Sequence, residues 1–172
     1  MKAAGIILAI ALALALQTTL ARFLVRGAVG VDLVLVVVVY VALTSGSVTG
    51  LLTGAVAGLM QDVVTRVPSS IIGIGGLAKT IVGFLAGIVG TQFIVVQPLP
   101  RFVVFFSATL LHALIFFGLY VLLDLRQFGT SYAAITGQAI GNAVTGVLAF
   151  QLVELLPGAV ERRRMSKSRI RR

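Results

Sequence analysis

The chain has 172 residues, of which 59% are apolar and only 11% charged, with a formal net charge of +9 and a mean hydropathy of +1.11. Ordinary soluble domains carry about a quarter charged residues, so this composition excludes a soluble enzyme and points to an integral membrane protein. The absence of cysteine excludes disulfide frameworks, thiolate metal sites and cysteine nucleophiles together, the single histidine leaves almost nothing for a metal, and the absence of tryptophan leaves interfacial anchoring to Tyr40, Tyr120, Tyr132 and the arginines.

A helix needs about 20 mostly apolar residues to cross the hydrocarbon. Six runs of roughly that kind occur, at about 3–21, 31–44, 46–64, 71–91, 101–123 and 136–156. The first, opening with Lys2 and ending at Thr19-Leu20-Ala21, has the outline of a cleaved signal peptide, but with more spans following it an uncleaved helix is the simpler reading. The second is short and is separated from the third only by a tight turn at Thr44-Ser45-Gly46.

The third run, TSGSVTGLLTGAVAGLMQDV, places glycine at 46, 50, 54 and 58 and stops at Gln61 and Asp62. In water each interior glycine would cost a helix about 1 kcal/mol relative to alanine. In lipid, where helices gain nothing from hydrophobic association, small residues four apart let backbones approach closely. Gly46, Gly50, Gly54 and Gly58 therefore form a packing groove. Gly76, Thr80, Gly83, Gly87 and Gly90 make a second on the fourth run, and Gly137, Gly141, Thr145 and Ala149 a third on the sixth. The expected fold is all-α: a compact six-transmembrane-helix bundle over 1–157, followed by a basic tail over 158–172, with the glycine faces turned inward and a more aliphatic face left for a partner.

Asp62 and Lys79 are the ionisable residues expected to lie below the membrane surface. Lys79 sits about 12 Å down the fourth helix at 1.5 Å per residue, about 7 Å deeper than Asp62, so a lysine side chain can bridge the gap. Three readings remain open for them: surface carboxylate and snorkelling lysine, a structural ion pair, or part of a proton or solute pathway. The stretch Gly73-Ile-Gly-Gly-Leu-Ala-Lys79-Thr80 is one residue short of a phosphate-binding loop, has Ala78 where glycine is required, and opens an apolar span rather than following a strand. His112 in the aromatic-rich fifth run reads as a satisfied core histidine and Glu154 as an interfacial residue. No nucleophile, base and orienting group come together in the sequence, and no cofactor or metal is expected.

The terminal stretch ERRRMSKSRIRR holds seven of the fourteen basic residues: Arg162, Arg163, Arg164, Lys167, Arg169, Arg171 and Arg172. Placing it in the cytoplasm gives nine cations inside, with Lys2 and Arg101, against Arg22, Arg26, Arg66 and Arg126 outside, so both termini are expected to be cytoplasmic. The tail is either a solvated stop signal or a contact for anionic lipid or an acidic partner, each basic residue near a charged leaflet contributing about 1 kcal/mol. No aromatic residues interleave with the charges, which argues against nucleic acid.

Asp32-Leu33, Tyr40-Val41-Ala42-Leu43, Gly58-Leu59-Met60-Gln61-Asp62, Gly76-Leu77, Lys79-Thr80 and Gly83-Phe84-Leu85-Ala86-Gly87, taken together, resemble the MreD family of rod shape-determining membrane proteins. The pattern departs at Val31, where the family commonly has proline, and beyond Pro98 it matches only in hydropathy. The resemblance implies a noncatalytic scaffold of the bacterial cell-elongation machinery in the inner membrane. Such a scaffold binds MreC and, through it, is linked to MreB and to RodA with its class B penicillin-binding transpeptidase, helping to place lateral peptidoglycan synthesis. It also implies a fold similar to the substrate-binding subunits of energy-coupling-factor vitamin transporters. Such a subunit is the alternative reading, with Ala9 and Ala13 as a small-residue docking face. A small channel would need more polar lining than Gln17, Gln61, Gln138 and Asn142 offer, although these can hydrogen-bond between helices.

Overall fold

The computed structural model describes residues 2–23, 30–65, 72–93, 97–124 and 132–155. They form six helices: α1 (Lys2–Phe23), α2 (Leu33–Ser45), α3 (Ser47–Val64), α4 (Ile74–Gln92), α5 (Pro98–Leu122) and α6 (Tyr132–Leu155). α3, α4, α5 and α6 are long and apolar enough to cross a membrane, while α2 and the apolar stretch Ala3–Thr19 of α1 are shorter. This is the pattern of a helical membrane protein, with six helices of which four are long and apolar, and the second is short, as its run in the sequence is. At 1.5 Å per residue, the 13 residues of α2 reach only about 20 Å, against a hydrocarbon core of about 30 Å.

Both ends of α2 are fixed chemically. Its first turn is capped by Asp32, whose side chain accepts the Leu35 N–H at 3.0 Å. Its last turn closes where the Gly46 N–H donates to Ala42 O at 2.9 Å, and Gly46 O in turn accepts the Gly50 N–H at 2.9 Å to start α3. Gly46 does this at φ 92°, ψ 177°, a region essentially restricted to glycine. It is therefore a corner residue rather than the first rung of a packing ladder.

The remaining rungs behave as expected. A Cβ on Gly50 would be driven into Gly83 O, one on Gly54 into the carbonyl of Lys79, and one on Gly58 to 2.5 Å from Gly76 Cα. From the other side, Gly83 lies against Gly50, and Gly87 against the backbone of Ser47. α3 and α4 thus meet backbone on backbone, and theirs is the most extensive helix contact of the bundle. Gly76 is looser, a Cβ there lying 3.2 Å from the Leu59 side chain and 3.3 Å from its backbone nitrogen. On α6 the buried positions are Ala139, Asn142, Ala143, Gly146 and Phe150. Gly137 and Gly141 are only half-buried. The tight approach there is at Gly146, where a Cβ would lie 2.5 Å from the Phe105 ring.

α2 is central and touches every other helix. One side of it packs Leu35, Val39 and Ala42 against Val82 and Ala86 of α4, Phe105 and Ala108 of α5, and Ala143 and Phe150 of α6. The other side packs Val34 and Val38 against Ile10, Ala13 and Leu14 of α1 and Ala57 of α3. Ala13 is consumed in that contact, which removes it from an external docking face.

Gly54→Leu is expected to abolish recovery of folded protein by size-exclusion chromatography in detergent. Gly118→Ala, where a Cβ meets nothing within 4 Å, is expected to keep the wild-type profile. A folded Gly54→Leu variant would show that the α3–α4 approach is dispensable.

Candidate functional site

α2 begins where the chain places its most buried ions. Lys79, in the second turn of α4, lies 2.9 Å from Asp32 Oδ2, the two side chains being 4% and 6% exposed. The ammonium also sits 3.2 Å from His112 Nε2 on α5. Because a protonated lysine can only donate, Nε2 accepts and the imidazole proton is on Nδ1. Asp32 Oδ1 accepts both the Leu35 N–H and, at 3.3 Å, Gln61 Nε2 of α3. The backbone N–H of Asp32 donates to Asn142 Oδ1 on α6 at 2.8 Å. Asn142 Nδ2 donates to Thr109 Oγ1 at 3.1 Å, and that hydroxyl donates to Phe105 O at 2.9 Å. Even α1 contributes, Gln17 Oε1 accepting the Val34 N–H at 3.4 Å. All six helices thus converge on the start of α2, and Gln61 Oε1 is the one buried side-chain polar atom among the described residues left without a hydrogen bond.

The expected pairing of Asp62 with Lys79 does not form. Asp62 Oδ2 instead accepts the N–H groups of Gly73 and Gly76, at 2.8 and 3.1 Å. The α4 N-cap, Gly73, has no side chain to serve its own first turn, so a carboxylate from the end of α3 supplies the missing acceptor and meets the positive end of the helix dipole. Lys79 lies deeper and faces α2, where Asp32 is the nearest anion. Lys79 thus forms a buried ion pair, but with a different carboxylate from the one expected.

A second ionic contact ties the first turn of α5 to the end of α6. Arg101 donates from Nη1 to Glu154 Oε2 at 3.1 Å and from Nη2 to Oε1 at 2.5 Å, a two-pronged geometry that a planar guanidinium fits well. Its Cζ lies 4.5 Å above the Phe150 ring, which packs in turn on Tyr40 and Phe105. Arg101, expected among the surface cations, is buried, and Glu154 is its partner rather than a simple interfacial residue.

The amides singled out in the sequence as bridges between helices divide. Gln17, Gln61 and Asn142 make such bonds, and Asn142 is the keystone. Asp32 was visible in the sequence as part of the family resemblance and at the start of a short run, but not as a partner of Lys79; that shortness was the available signal, since it puts the N-cap below the ends of the longer helices. Arg26, Arg66, Arg126 and the seven cations of the tail, Arg162, Arg163, Arg164, Lys167, Arg169, Arg171 and Arg172, lie outside the described residues.

Removing one member of a buried pair strands the other charge and costs about 3–5 kcal/mol. Asp32→Ala and Lys79→Ala are each expected to lose that much in an equilibrium unfolding titration, with the double variant losing at least about 1 kcal/mol less than the sum. Asp62→Ala and Lys79→Ala, whose side chains share no contact, are expected to add within about 0.5 kcal/mol. Additive behaviour of Asp32 and Lys79 would remove their pairing from the bundle's stability.

No curated protein and no solved structure matches the chain, so the likeness to energy-coupling-factor subunits is without support. The family model described as rod shape-determining protein MreD, however, matches residues 2–157. With the glycine-packed hairpin and the Asp32–Lys79 cluster inside the matched span, the chain belongs to the MreD family, and its role is in rod shape determination.

Proposed function

We propose that the chain is a noncatalytic scaffold of the cell-elongation machinery in the bacterial inner membrane. Both its termini face the cytoplasm, and it binds MreC so as to link lateral peptidoglycan synthesis, through RodA and its transpeptidase, to the MreB filament. The observation that carries this reading is the state of the buried charges. Asp32, Lys79, Arg101 and Glu154 are each held by partners within the bundle, in contacts that fix helix against helix. Asp32 alone binds four groups from α2, α3, α4 and α6. Ions immobilised in this way serve packing, and what the protein offers its neighbours is a rigid shape with aliphatic outer faces such as Val48, Leu52, Val56, Leu59 and Val63 along α3.

Affinity purification of the detergent-solubilised protein from its native membranes, followed by mass spectrometry, is expected to recover MreC together with elongation enzymes. Recovery of a transporter ATPase module without MreC would overturn the scaffold in favour of a vitamin-binding subunit.

A further inference from the structure

A lysine ammonium has three protons to place. Asp32 Oδ2 takes one from Lys79 at 2.9 Å and His112 Nε2 another at 3.2 Å, and among the described residues no group accepts the third. On the acceptor side, Gln61 Oε1 is buried and has no donor. The two unmatched groups belong to one site. Gln61 Nε2 holds Asp32 Oδ1 at 3.3 Å, while Lys79 Nζ holds the other oxygen of the same carboxylate. Nζ and Oε1 do not bond to each other directly.

We infer that one water molecule is held between Lys79 Nζ and Gln61 Oε1, where α2, α3 and α4 meet. The water accepts the third proton of the ammonium and donates one of its own to Oε1. Its other proton is matched as well. Asp32 Oδ1 already accepts two hydrogen bonds and Oδ2 one, so a carboxylate with about four lone-pair sites has one left on Oδ2. That makes about three hydrogen bonds, the usual complement of a buried water. A donor and an acceptor that face one site without touching are the setting in which single waters bridge.

The chemistry of the site selects water over other occupants. Oε1 is an acceptor, so its partner has to donate. A metal ion would also suit a carbonyl oxygen, but the charge of Lys79 repels it. A larger donor has no way in, because Oε1 is closed off and the Lys79 side chain is only 4% exposed. Through the water α3 reaches the cation of the ion pair as well as its carboxylate, which adds a polar tie to the backbone contact at Gly54. This goes beyond the scaffold reading and holds whatever partner the chain binds.

The test uses the full chain, isotopically labelled and in lipid bilayers, and follows by solid-state NMR the transfer of magnetisation from water protons to side-chain carbons at short mixing times. Asn142 is the internal reference, since it is 1% exposed and both its oxygen and its nitrogen are engaged within the protein. Build-up at Gln61 Cδ and Lys79 Cε is expected to be about threefold faster than at Asn142 Cγ. Gln61→Met, which keeps the length of the side chain and removes the acceptor, is expected to slow Lys79 Cε to the rate of Asn142 Cγ. Should that variant not fold, the wild-type comparison decides alone. Wild-type build-up at Gln61 Cδ and Lys79 Cε no faster than at Asn142 Cγ would overturn the inference, and so would a folded Gln61→Met chain in which Lys79 Cε keeps its wild-type rate.

Discussion

A lysine ammonium in a hydrocarbon interior is tolerated only with its charge compensated and its protons accepted, and much of the arrangement of this bundle follows from where Lys79 finds both. The carboxylate of Asp32 must reach it from α2, which sets where α2 begins. Once Asp32 is spent on an N-cap and an ion pair, its own N–H needs an acceptor, and Asn142 brings α6 in to provide one. His112 brings in α5 for the remaining approach to the ammonium. The glycine ladder belongs to the same constraint, because Gly54 is the residue that lies against the backbone of Lys79. With any side chain at 54, α3 would stand off from α4, and Gln61 would lose its reach to Asp32.

The consequence is a division of labour between kinds of force. The α3–α4 contact is made by close packing of backbones, where dispersion over many atoms is the attractive term and a single methyl group destroys it. The α5–α6 pair is held differently, by the edge-on contact of Phe105 with Phe150 and by polar ties at two levels. Arg101–Glu154 lies at one end, and the Asn142–Thr109 hydrogen bond is roughly 12 Å further along α5. Buried ionic contacts contribute little net stability against an apolar alternative but discriminate strongly between registers, since a helix shifted by one turn strands a charge. Packing sets how close the helices lie, and the ions set which residues face one another.

The six apolar runs, the tight turn at Gly46 and the α3–α4 glycine faces were legible because periodicity and small-residue spacing are local properties of the chain. The identity of the buried pair was not. Depth measured along a helix favoured Asp62, and sequence distance hid that the α4 N-terminus, lacking a side-chain cap, would claim that carboxylate first. Gly137 and Gly141 misled for a related reason. The spacing of four identifies a face of α6, but only the position of Phe105 on a neighbouring helix selects Gly146 as the point of contact. Arg101 was counted with the cytoplasmic cations because it opens the fifth apolar run, and nothing local reveals that Glu154, 53 residues on, lies opposite it.

The same network bears on how much this bundle can move. A transporter must let its buried ions exchange partners between two states of similar energy. Here Lys79 cannot leave Asp32 without stranding both charges, and Asp32 cannot follow it without uncapping α2 and releasing the Asn142 carbonyl. The cost of each motion is therefore shared by four helices; the one unpaired buried side-chain polar atom among the described residues, Gln61 Oε1, can accept a hydrogen bond from a displaced ammonium but carries no charge to compensate it, and offers nothing to a displaced carboxylate. Such an interior favours one arrangement over many, which is what a protein needs if its work is to hold others in fixed relation within the membrane.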